Sequence, residues 1–135
     1  MKKEMFDAIR AKTAAMFAIT KENLGTKSIE IVNSFPRYYD VYISEYEIYS
    51  NLITEREKLY GELFNKYRYD NQRDARTKTE IEPFIHSSET YYQMCLAINE
   101  QEKVVKYMEG ICEAIKRISY SIKNIIDLKN LGMQI

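Results

Sequence analysis

Between Arg56 and Lys78 the chain carries seven cationic side chains (Arg56, Lys58, Lys66, Arg68, Arg73, Arg76 and Lys78) against four carboxylates. Tyr60, Phe64, Tyr67 and Tyr69 are threaded through them. That mixture has a defined chemistry. Cations attract phosphate oxygens and aromatic faces accept stacked bases, which are the two needs of a protein that holds a single nucleic-acid strand. Lys58, Lys66, Arg68, Arg73 and Arg76 are the candidate phosphate contacts, with Tyr67 and Tyr69 as candidate stacking faces. The same run also reads as the solvated face of a helix, and composition alone leaves both readings open. A second cationic stretch, Lys116, Arg117 and Lys123, has no acid between Ala114 and Ile126.

Catalytic chemistry finds little support. His86 is the single histidine, which excludes histidine-cluster metal sites and leaves one candidate general base; beside Ser87 and Ser88 it reads as part of a helix start. There is no glycine-rich phosphate loop, no nucleophile elbow and no HExxH motif. Glu80 and Glu82 read as carboxylates on a solvated turn. Cys95 and Cys112 both fall within helical patterning, where a cysteine acts as a small apolar filler, and two thiols make neither a disulfide framework nor a metal site. The expectation is a non-enzymatic protein with no cofactor and no metal.

A chain of 135 residues makes about one domain, and 4 glycines with 2 prolines predict long uninterrupted elements. Twenty basic and twenty acidic side chains cancel, so only local patches could select a charged partner. No stretch approaches the ~20 apolar residues that span a bilayer. Asp7, Arg10 and Lys12 interrupt what a signal sequence would need to keep apolar, so a cytoplasmic protein is expected.

Residues 3–23 are alanine-rich and amphipathic, a short helix with Gly25 as its stop. Residues 26–34 read as a connector, with Ser34 as cap before Pro36 in the first turn of the next helix. A long helix is predicted over 36–69. On it Tyr39, Tyr46, Ile53, Tyr60 and Tyr67 recur every seven residues, with Tyr42, Tyr49, Arg56 and Leu63 as companion row, a heptad seam. Residues 70–87 read as a hinge, because Pro83 disfavours helix before it. The last helix is predicted over 88–131. There Met108, Ile111, Ile115, Ile118, Ile122 and Ile125 alternate steps of three and four and form the candidate self-association stripe. Such long helices exceed what a compact globule of this size holds. The expected architecture is therefore a single all-α domain: a long helical hairpin with a short N-terminal helix, packed against copies of itself.

Three stretches resemble the UvsY family, the recombination mediators of T4-type bacteriophages. The first runs from Ile31-Val32-Asn33-Ser34-Phe35-Pro36-Arg37-Tyr38-Tyr39-Asp40-Val41-Tyr42 into Lys58-Leu59-Tyr60 and Tyr67-Arg68-Tyr69. The second is Glu80-Ile81-Glu82-Pro83-Phe84-Ile85, similar to a short acidic segment before the family's last helix. The third is Ala114-Ile115-Lys116-Arg117 followed by Ser121-Ile122-Lys123-Asn124-Ile125-Ile126-Asp127. Where the family has Arg-Gly this chain has Ile118-Ser119, with Tyr120 for phenylalanine and Leu128 for tryptophan. The resemblance implies a phage-encoded protein of the host cytoplasm. It implies a ring-like homo-oligomer, a hexamer or heptamer, that binds single-stranded DNA. It further implies that the protein helps a strand-exchange recombinase replace a single-strand-binding protein there. A helical scaffold or adaptor without nucleic-acid binding is the competing expectation.

Overall fold

The computed structural model describes residues 1–20, 22–69 and 76–132. Among them run five helices and no strand: α1 (Lys3–Met16), α2 (Leu24–Asn33), α3 (Phe35–Arg68), α4 (Lys78–His86) and α5 (Glu89–Asn130). The all-α class expected from the sequence is the class observed. The chain divides into two compact units, Met1–Glu45 with Val104–Ile135, and Tyr46–Lys103. Helices α3 and α5 each contribute to both. No helix among the described residues is long and apolar enough to cross a membrane.

Local expectations change at several points. Helix α1 ends at Met16 rather than at residue 23, and Gly25 is not its stop. The cause is a polar turn. Thr20 N–H donates to Asn23 Oδ1 (2.7 Å) and Asn23 N–H to Thr20 Oγ1 (3.3 Å), side-chain bonds that compete with continuation of the helix. The connector expected over 26–34 is instead helix α2, held by Ile31, which is fully buried. The Ser34 hydroxyl donates back to the Ile31 carbonyl and does not cap α3. Pro36 does fall in the first turn of α3, where a missing N–H costs nothing.

The hinge expected over 70–87 contains the nine-residue helix α4, with Pro83 inside it. Ile81 and Ile85, one turn apart, are both fully buried. Their burial outweighs the hydrogen bond that proline forfeits, and Pro83 itself is exposed.

The tyrosine seam is also displaced. Tyr39 and Tyr46 are 43% and 49% exposed, while Tyr38 is 1% exposed. The covered row of α3 runs Tyr38, Tyr42, Glu45, Tyr49, Leu52, Arg56, Leu59, Leu63, in alternating steps of four and three. The companion row was thus correctly placed. The other expected row holds in its second half, where Ile53, Tyr60 and Tyr67 are half-buried and the two tyrosines pack on the second core; at Tyr39 and Tyr46 the covered position lies one residue earlier, a rotation of about 100° round the helix.

In the first unit Met16, Ile31, Tyr38, Met108, Ile111, Cys112 and Ile115 form the core. The Tyr107 hydroxyl shares a 3.0 Å hydrogen bond with that of Thr13, which also donates to the Ile9 carbonyl (2.8 Å). This ties α1 to α5. Core of the second unit is smaller: Leu63, Ile81 and Ile85, flanked by Leu59, Tyr60, Phe64, Tyr67 and Tyr91.

Two stability predictions arise here. Gly110 is exposed within α5, and a β-carbon built on it meets nothing within 4 Å. Gly110→Ala is expected to raise unfolding free energy by about 1 kcal/mol through helix propensity alone, read from denaturant midpoints. The second concerns Cys112. Burial pushes its thiol above the ordinary value of 9.0, against a smaller opposing pull from Lys116. A raised acid pKa means the folded chain holds its proton when the unfolded chain has lost it. This contribution is full below 9.0 and fades as pH rises toward the folded value. The melting temperature is therefore expected to fall above 9.0, and Cys112→Ala to flatten that fall.

Candidate nucleic-acid interface

The proposed site lies in the second unit, on the last turns of α3 and on α4. A helix ends with four carbonyls lacking intrahelical partners, and Arg76 serves two of them. Its N–H donates to the Arg68 carbonyl (2.9 Å) and its Nη1 to the Tyr67 carbonyl (2.9 Å). The guanidinium lies 4.5 Å from the ring centroid of Phe84, and that ring stacks on Tyr67 at 5.5 Å. Arg76 is thus half-buried and engaged with the fold.

Three of the other cations stand apart from any carboxylate. Lys58, Lys66 and Arg68 are exposed, and among the described residues none has a carboxylate within 4.0 Å. Lys66 Nζ sits 5.3 Å from the Tyr67 centroid and the Arg68 guanidinium 5.6 Å from that of Tyr69. Tyr69 lies just past the helix end and is 62% exposed, an open face for stacking. Lys78 pairs at 3.9 Å with Glu82, both well exposed, a contact of little energetic weight.

Helical geometry decides which of these act together. Lys66 and Arg68 are two residues apart and point about 160° from one another round α3. They flank the helix end rather than share a face. Lys58 and Lys66 lie about 80° and about 12 Å apart. Both terminal cations also complement the negative end of the α3 macrodipole, so part of their charge offsets the helix itself before any phosphate arrives. Arg73 lies outside the described residues.

Phe84 was not singled out from the sequence, yet it joins Tyr67 to Arg76. Its only signal was its place three residues after Ile81, visible once α4 is seen as a helix despite Pro83. Beside this cluster, Arg56, Glu57, Tyr60 and Tyr91 line a cavity of about 380 Å³. The Tyr91 hydroxyl is held above 10.0, first by burial and then by Cys95, against a lowering effect of Arg56. His86 closes α4 rather than opening a helix, and its ring meets Tyr91 edge-on at 5.7 Å.

The residues assigned to self-association divide. Met108, Ile111 and Ile115 are enclosed in the core of the first unit. Ile118 and Ile122 are half-buried, and Ile125 is 40% exposed. With Ile126, Ile19, Leu24 and Ile29 these last three line an apolar cavity of about 480 Å³.

An all-helical chain with solvent-facing cations set beside aromatic rings has the make-up of a nucleic-acid-binding protein. The model of the family described as recombination, repair and ssDNA binding protein UvsY matches residues 13–133. The chain belongs to the UvsY family. No curated protein and no solved structure matches it.

Proposed function

We propose that this protein binds single-stranded DNA through Lys58, Lys66, Arg68 and Tyr69, Arg73 and the tyrosine face of Tyr67 adding to the site. As a homo-oligomer it helps load a strand-exchange recombinase in place of single-strand-binding protein. The observation that carries the reading is the end of α3. There Lys66 and Arg68, neither with a carboxylate partner among the described residues, each lie beside a tyrosine ring, Lys66 by half-buried Tyr67 and Arg68 by Tyr69, which is 62% exposed, on a chain whose family is described by single-stranded-DNA binding. Cations neutralise phosphates and release counterions, while the ring takes a base without regard to sequence. No bond is made or broken. The protein competes for the strand and holds it in a form on which the recombinase can nucleate. Repetition of the patch by self-association multiplies weak contacts, and the open isoleucines of α5 beside Leu24 and Ile29 support such assembly.

Fluorescence-anisotropy titration of a labelled single-stranded oligonucleotide at several salt concentrations tests this. Lys66→Ala with Arg68→Ala is expected to weaken binding at least tenfold. Losing two phosphate contacts should also lower the slope of log K against log salt by about 1.4. Light scattering should give an unchanged mass. An oligomer that ignores DNA at every salt concentration would leave only a helical scaffold.

A further inference from the structure

The second cationic stretch of the sequence is not part of the α3 site, and it has its own aromatic partners. On α5, Lys116, Tyr120 and Lys123 stand at i, i+4 and i+7, within about 60° of one another round the helix. All three are exposed, Tyr120 at 67%. Lys116 Nζ lies 5.8 Å from the ring centroid of Phe35. Tyr39 stacks on that ring at 5.6 Å, with the planes 22° apart, and is itself 43% exposed. Between Tyr120 and this pair lies a cavity of about 360 Å³ lined by Val32, Phe35, Pro36, Lys116, Ser119 and Tyr120. Among the described residues, neither lysine has a carboxylate within 4.0 Å.

The geometry points to a second single-strand-binding surface, lying wholly within Met1–Glu45 and Val104–Ile135: Lys116 and Lys123 hold phosphates, and Tyr120 and Tyr39 stack bases over the Phe35 cavity. This inference rests on the single-stranded-DNA reading and extends it to a site that uses no residue of α4 or of the end of α3. Three features select the ligand. A cation–aromatic–cation row on one helix face alternates the two chemistries that a nucleotide strand alternates. Ending two turns before the last residue of α5, the row does not have to offset a helix terminus, as Lys66 and Arg68 do. The row also lies about 180° round α5 from the Ile118, Ile122 and Ile125 stripe, so strand and second copy need not compete for it.

The test uses the full chain with a labelled single-stranded oligonucleotide over a salt series. Lys116→Ala with Lys123→Ala is expected to weaken binding about tenfold or more and to lower the salt slope by about 1.4. Tyr120→Ala should weaken it about 5-fold or more with the slope unchanged, because stacking carries no counterion term, and Tyr120→Phe should retain affinity. Circular dichroism and light scattering should not change, since all three side chains are exposed. Wild-type affinity and slope in both alanine variants would overturn the proposal. Normal strand binding combined with lost recombinase loading would overturn it too, by assigning the surface to a protein. The two readings separate cleanly. A wild-type chain that binds no strand defeats the proposed function itself. Weakening by the Lys66 and Arg68 substitutions alone defeats only this second surface.

Discussion

Ile85→Ala is expected to cost about 2–5 kcal/mol of stability and to melt α4 before anything else. The second unit has three buried apolar residues at its centre, Leu63, Ile81 and Ile85. Two of them are on α4, a nine-residue helix containing a proline. A helix that short is not stable by its own hydrogen bonds, and Pro83 removes one of those. Its helicity therefore rests on the burial of Ile81 and Ile85. Truncating one leaves a cavity against Leu63 and removes half of what secures the helix. Hydrogen exchange should show amides of residues 78–86 losing protection, with those around Met108 and Ile115 in the other core holding theirs. Uniform loss of protection across both units would show instead that the whole chain unfolds as one cooperative system.

The second large effect concerns Arg76. Arg76→Ala is expected to destabilise by about 2–4 kcal/mol, since it deletes a charge-assisted hydrogen bond and a half-buried cation–ring contact. The conservative change separates this role from a phosphate contact. Lysine keeps the charge but lacks the planar fork that reaches the Tyr67 carbonyl while lying over Phe84. If Arg76 acts by closing α3, Arg76→Lys lowers the melting temperature nearly as much as Arg76→Ala and leaves the salt slope of DNA binding where it was. If Arg76 acts as a charge on the strand, Arg76→Lys melts as wild type, and only Arg76→Ala lowers the slope. The 2.9 Å bond to the Tyr67 carbonyl favours the first outcome.

The two long helices were legible because their signals are local and repeated. A period of 3.5 residues over dozens of positions survives any single misplacement, and α3 and α5 begin and end within one residue of the predicted bounds. The stretches that carry the family resemblance were legible for the same reason, and the family match over residues 13–133 agrees with them. The cations of the candidate site were also visible, since charge and aromatic character belong to the residues themselves.

What the sequence could not determine was where the covered face of α3 has its edge. Tyr38 and Tyr39 are the same residue type one position apart; Tyr38 is buried because it packs into the cluster of Ile31, Met108 and Ile115 from other elements. Helices α2 and α4 escaped notice for a related reason. Each is short and polar or proline-bearing, and each is held by buried isoleucines whose partners are distant in sequence. Arg76 shows the same limit at the site. Its charge suggested phosphate, but the fold brings it to two unpaired carbonyls and an aromatic ring. Periodicity and charge are properties of the chain, and they set the class, the long helices and the chemistry on offer. Burial and pairing are properties of contacts between separated segments, so only the tertiary structure decided which tyrosines form the core, which arginine closes a helix, and which lysines remain open to a strand.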